Sequence, residues 1–92
     1  MTSHLAVLRI HPNDNICVAL HPMEAGTEIV CGSIQFVLAH DIRLGAKLAL
    51  MPMAAGTIIL KFGEPIGNLS EDVELGSYIH THNLKSEYMN HA

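Results

Sequence analysis

The 92-residue sequence contains no tryptophan, only two tyrosines and two phenylalanines, an aromatic content of 4%. A core made from this chain must therefore be built of Ile, Val, Leu, Met and Ala rather than of stacked rings, which suits short, closely packed strands. Charged residues are also scarce, 15% against 49% hydrophobic, which excludes a solvated, disordered segment. The five Lys and Arg against nine Asp and Glu give a formal net charge of -4, and no two basic residues are adjacent. Nucleic acid is thereby excluded as a partner, because phosphate backbones require clustered cations. No long apolar run is present: the longest, 48–60, is interrupted by Pro52 and Gly56 and falls short of the roughly 18–20 residues that span a bilayer, so no membrane partner is expected. The amino terminus lacks a basic start followed by an apolar stretch, which predicts no secretory signal and a cytoplasmic location. The two cysteines, Cys17 and Cys31, are too far apart in sequence for a zinc knuckle and are expected to be free thiols acting as small hydrophobes.

What is present is one domain's length of chain, expected to fold over residues 1–92 on a single core, with ordered residues at about 5–84 and a polar tail at 85–92. An internal repeat organises it. Segment 18–30 aligned with 48–60 is identical at eight of thirteen positions, and Asp41-Ile42-Arg43-Leu44-Gly45 aligns with Asp72-Val73-Glu74-Leu75-Gly76. The shared signature is an apolar residue followed three positions later by glycine. It fits a tight turn with Met23, Ile42, Met53 and Val73 anchoring each turn to the core. The copies are too close for crossover helices. Short aliphatic runs bounded by Gly, Pro, Asn or Asp predict strands at 5–10, 16–20, 28–30, 34–38, 47–50, 58–62, 65–69 and 78–82. The expected fold is mostly β, compact and barrel-like, with an internal two-fold repeat and at most one short helix, for which 38–41 is a candidate start. Exposed strand edges would also allow two copies to pair as a homo-oligomer.

Seven histidines are present, and one pair carries information: His80-Thr81-His82-Asn83 follows an apolar run. In an extended strand two rings two residues apart point to the same face, so His80 and His82 are candidates for general acid–base work or for binding a metal, with the amide of Asn83 beside them. Two imidazoles do not complete a metal site, which needs about three protein ligands. A solvated surface pair is the alternative. His40-Asp41 is open to the role of a further ligand or of a turn cap, and His4, His11, His21 and His91 are assigned no role. Lys61-Phe62-Gly63-Glu64-Pro65-Ile66-Gly67 reads as a hairpin turn. Either Lys61 forms a surface ion pair there with Glu64 or it is an anion ligand, and Lys47, after the turn at Gly45-Ala46, has the same two readings.

The segments Asp14-Asn15-Ile16-Cys17-Val18-Ala19-Leu20, Ala25-Gly26-Thr27, Leu44-Gly45-Ala46-Lys47-Leu48-Ala49-Leu50, 61–67 and Gly76-Ser77-Tyr78-Ile79-His80-Thr81-His82-Asn83 occur in unbroken order. In this the chain resembles the SAF domain of altronate and galactarate dehydratases, the lysine-aromatic-glycine turn and the closing His-Thr-His-Asn being the specific parts. The resemblance implies a β-clip fold and a small module working with a large catalytic subunit, as in separate altronate dehydratase small subunits and the alpha subunit of sulfolactate sulfo-lyase. It further implies elimination of water, or of a similar β-substituent such as sulfite, from a sugar acid or hydroxy acid, and a divalent metal such as iron(II). By the motif match His80, His82 and Asn83 would carry over as the contribution to the shared catalytic site, with His80 and His82 also as metal ligands and Lys47 and Lys61 on the acidic substrate. One departure stands out: the turn that resembles Gly-His-Lys in the family reads Gly45-Ala46-Lys47 here. That departure supports the alternative of a non-catalytic module that binds an acidic sugar or holds an assembly together.

Overall fold

The computed structural model describes residues 6–80 and 82–85. The described residues form nine short strands: β1 (Val7–Leu8), β2 (Ile16–Ala19), β3 (Glu28–Cys31), β4 (Ile34–Val37), β5 (Lys47–Ala49), β6 (Ile58–Lys61), β7 (Glu64–Leu69), β8 (Tyr78–Ile79) and β9 (Leu84–Lys85). Among the described residues there is no helix; 38–41 is a bend. No helix long and apolar enough to cross a membrane occurs among them. The fold is mostly β, consistent with a small β-clip SAF domain.

Among the described residues the strands form three sheets, β1-β2-β5-β8, β3-β4 and β6-β7-β9. Every pairing is antiparallel. Segments that align in sequence make corresponding hydrogen bonds. Gly26 N–H donates to Leu38 O, and Gly56 N–H donates to Leu69 O; Gly45 N–H donates to Ala19 O, and Gly76 N–H donates to Ala49 O, all at 2.8 Å. Met23 bridges Ile42 and Met53 bridges Val73. The four turn glycines have φ between 84° and 91°, a region that a residue with a Cβ enters only under strain, which is why glycine recurs in the signature.

The apolar interior differs from the single core that chain length suggested. The central sheet is buried on both faces. Cys17, Ala19 and Leu48 pack into one cluster with Ile29, Phe36 and Leu38; Ile16, Ala49 and Ile79 pack into another with Ile59 and Leu69. Successive strand residues point to opposite faces, so the continuous apolar run of β2 feeds both clusters, and each hairpin covers one face. Full burial of each Ile or Leu is worth about 2 kcal/mol. The cysteines are free as expected, Cys17 buried and Cys31 half-buried. Burial, with Cys31 nearby, pushes the Cys17 thiol up to about 12, so it stays protonated and inert.

Two strand expectations need correction. The run 78–82 ends as a strand at Ile79, and a ninth strand follows it at Leu84–Lys85, one residue into the expected tail; residues 86–92 lie outside the described residues. The cause is Asn83, whose side chain folds the intervening turn.

Candidate functional site

The second hairpin, β6–β7, is held from the amino-terminal side of the chain. Asp14, only 1% exposed, accepts hydrogen bonds from Gly63 N–H (2.7 Å), Phe62 N–H (3.0 Å) and His11 N–H (3.1 Å). Burial pushes its carboxyl upward, but the three amide donors outweigh burial and hold it below the usual carboxylate range. Asn15 extends the clamp: its amide donates to Ile58 O and accepts from Leu60 N–H, both at 2.9 Å. Phe62 and Gly63 have φ of 58° and 77°, the signature of a type I′ turn. A Cβ on Gly63 would meet the His11 ring. This anchored turn fixes Lys61, whose ammonium lies 5.1 Å from the centre of the Phe62 ring. Although Lys61 and Glu64 are paired in register, no ion pair links them, so the anion-ligand reading of Lys61 stays open.

Lys47 enters the same region from β5. Its register partner on β8 is Ile79, and Leu48 pairs with Tyr78, so the chain leaving β8 passes beside it. A cleft of about 490 Å³ is lined by Arg43, Ala46, Lys47, Lys61 and His80 over an apolar floor that includes Ile66. Three of the chain's five cations meet there, and no described carboxylate lines the cleft. Burial lowers the affinity of Lys47 for its proton, and the nearby Lys61 lowers it further. A positive cleft in a chain of formal charge -4 is suited to a small anion.

His80 lines this cleft, and His82 beside it lines a neighbouring one. Their Nδ1 atoms are 3.5 Å apart, and the ring centres are 5.5 Å apart. The His80 ring also packs against Tyr78, centre to centre 4.9 Å. Both imidazoles are exposed. They converge through a turn, however, and not through strand alternation. Asn83, 3% exposed, accepts from His80 N–H (2.7 Å) and donates to Tyr78 O (2.9 Å). Its amide is thus engaged with the backbone of its own turn, making it a positioning residue for the imidazoles. Thr81, His4 and His91 lie outside the described residues. Asp41 is a turn cap, its carboxylate accepting from Ala25 N–H at 2.9 Å. His40 lines a different cleft, with His82.

Two imidazole nitrogens bound at about 2.1 Å to one tetrahedral ion would sit about 3.4 Å apart, so His80 and His82 match the spacing of two metal donors. Among the described residues no group of three or more His, Cys, Asp and Glu side chains is arranged to hold a metal. Among the described residues this site offers two donors, short of the about three protein ligands a metal centre needs. The same spacing serves proton exchange between a neutral and a protonated ring.

Sequence reasoning missed Asp14, Tyr78 and Arg43. Asp14 acts on residues far along the chain, which no local pattern reveals. Arg43 had a visible signal: within the repeat it aligns with Glu74, a charge reversal at otherwise similar turns.

Comparison with known proteins gives the following. The sequence profile of the altronate/galactarate dehydratase SAF domain matches residues 5–87. The chain is 34% identical over 79 residues to altronate dehydratase of Bacillus subtilis (strain 168), covering 86% of this chain and 16% of that enzyme. It is 35% identical over 79 residues to altronate dehydratase of Escherichia coli (strain K12), with the same coverage of 86% and 16%. It is also 43% identical over 47 residues to the (2R)-sulfolactate sulfo-lyase subunit alpha of Paracoccus pantotrophus, covering 51% of this chain and 70% of that subunit. The chain thus spans about a sixth of the length of the two altronate dehydratases.

Proposed function

The chain belongs to the SAF-domain family of altronate and galactarate dehydratases, and from that premise we propose that it is the small component of a hydroxy-acid or sugar-acid lyase, completed by a larger catalytic polypeptide. The observation that carries this reading is the meeting of two imidazoles, their Nδ1 atoms 3.5 Å apart, one of which, His80, lines a cleft with Arg43, Lys47 and Lys61 while His82 lines the neighbouring cleft. The cations hold the substrate carboxylate. Their charge also favours the extra negative charge that develops on that carboxylate when the adjacent carbon loses its proton. In the elimination, a neutral imidazole takes the α-proton, the C–H electron pair becomes the new double bond, and the bond to the β-substituent breaks. A protonated imidazole returns a proton to a departing hydroxide, which leaves as water. In the alternative use of the pair, His80 and His82 would be two donors to a divalent metal such as iron(II), which would supply Lewis acidity toward the carboxylate, and the proton transfers would then fall to groups of the larger polypeptide. Both rings are exposed, so the larger polypeptide would exclude water and complete the site.

The test is reconstitution. The chain is mixed with a polypeptide corresponding to the catalytic remainder of an altronate dehydratase and assayed on sugar acids and on hydroxy acids. Turnover is expected for the combination and not for either component; full activity of the isolated chain would contradict the reading. A second reading, a non-catalytic module, is favoured by Ala46. It lines the cationic cleft at the position where the resembling turn has a histidine, so this cleft has one imidazole fewer than that turn would give it.

A further inference from the structure

The two hairpins differ in how their outer edges end. In β7, Ser70 N–H donates to Asn83 O at 3.0 Å and Asn68 pairs with Lys85, so β9 covers the edge. The matching residues of the first hairpin are Val37 and Ala39, since Leu38 N–H bonds Thr27 O as Leu69 N–H bonds Thr57 O. In an antiparallel pair, alternate residues turn their N–H and C=O groups outward. With Phe36 opposite Ile29 and Leu38 bonded to Thr27, the outward groups are those of Gln35, Val37 and Ala39. No described strand pairs with that edge, and Val37 is 57% exposed. An edge left unpaired by the described residues is a template for another strand.

The edge opens onto a second cleft of about 490 Å³, where Val37 and Ala39 meet Glu71, Glu74, Tyr78 and His82. Its rim is acidic where the cleft at Lys47 is basic. We infer that the outer edge of β4 is the docking site for an extended segment of another polypeptide that carries lysine or arginine on the side facing Glu71 and Glu74. That segment occupies the place on β4 that β9 occupies on β7. A second copy of the chain is a poor occupant. Its own β4 carries no cation, and pairing would bring two acidic rims together. Because Tyr78 lines both clefts, a strand docked here places a foreign polypeptide beside His82.

The test titrates the full ¹⁵N-labelled chain with acetyl-(Lys-Val)3-amide and reads amide hydrogen exchange. At a peptide concentration about ten times the dissociation constant, the amides of Gln35, Val37 and Ala39 are expected to exchange about ten-fold more slowly. Acetyl-(Glu-Val)3-amide should give no protection. Val37→Pro, which removes an outward N–H at an edge position where proline is tolerated, should abolish binding. Glu71→Gln/Glu74→Gln, which leaves the backbone alone, should weaken it about five-fold. Equal binding by both variants, or protection located on another edge, would overturn the inference. So would protection already present in the free chain or rising with its own concentration, which would mean that the chain or its copy covers the edge.

Discussion

The turn after Ile42 and the turn after Val73 match in backbone and in sequence, yet they wall clefts of opposite charge. Arg43 lines one; Glu74, its counterpart in the repeat, lines the other. The hairpins differ in the same sense. The second is clamped by Asp14 and Asn15 on one side and covered by β9 on the other, whereas β3 and β4 pair only with each other among the described residues. Among the described residues the outer edge of β7 is covered by β9 and the outer edge of β4 is unpaired. The same turn geometry thus walls a basic cleft in one copy and an acidic one in the other, with Arg43 standing where the repeat has Glu74.

Gly67→Val is the strongest way to break this contrast. A Cβ at Gly67 would collide with the backbone carbonyl of Lys85, whereas the corresponding place in β4 is Phe36, packed in the core. Each faces the matching isoleucine of its hairpin, Ile59 or Ile29. The substitution should strip β9 from β7 and cost about 3 kcal/mol or more, measured by urea unfolding, with β3–β4 amide shifts unchanged. Wild-type behaviour would show that β9 cover adds little.

Asp14→Ala comes next. It removes the acceptor of three backbone N–H groups and should cost about 2–3 kcal/mol, with faster exchange at Phe62 and Gly63 and none of that effect at Gly32 and Ser33. The same carboxylate sets an acid limit. Its folded affinity for protons is below the unfolded one, so its stabilisation is complete above the ordinary carboxylate value of about 4 and is lost as pH falls through the lower folded value. Thermal melts of Asp14→Ala should lack this part of the acid sensitivity.

The smallest effect on stability belongs to Lys47→Met. Burial and Lys61 both disfavour the Lys47 charge, so its removal should change stability by no more than about 0.5 kcal/mol, while affinity for small carboxylates falls. A large loss of stability would mean that Lys47 serves the fold rather than a ligand.

Strand positions were legible in the sequence because each short aliphatic run is bounded by Gly, Pro, Asn or Asp, and the turn signature reappears in matching hydrogen bonds. Lys47, Lys61 and His80 line one cleft, although nothing local to any of them specifies the others. The sequence did not disclose what depends on contacts between distant segments. β9 is two residues long and exists through β7 and Gly67. The two apolar clusters arise because the hairpins fold onto opposite faces of β2 and β5. Asn83 reads as a polar group beside two histidines, and only the coordinates show its amide spent on His80 N–H and Tyr78 O.

The central claim, that His80 and His82 work at a shared site, is tested most directly by the turnover of the reconstituted complex carrying His80→Ala/His82→Ala, with assembly checked by sedimentation. The account predicts an intact assembly whose kcat falls by at least about 100-fold, the scale of a lost acid–base group. Unaltered turnover in the assembled complex would contradict it and leave the chain as an assembly module.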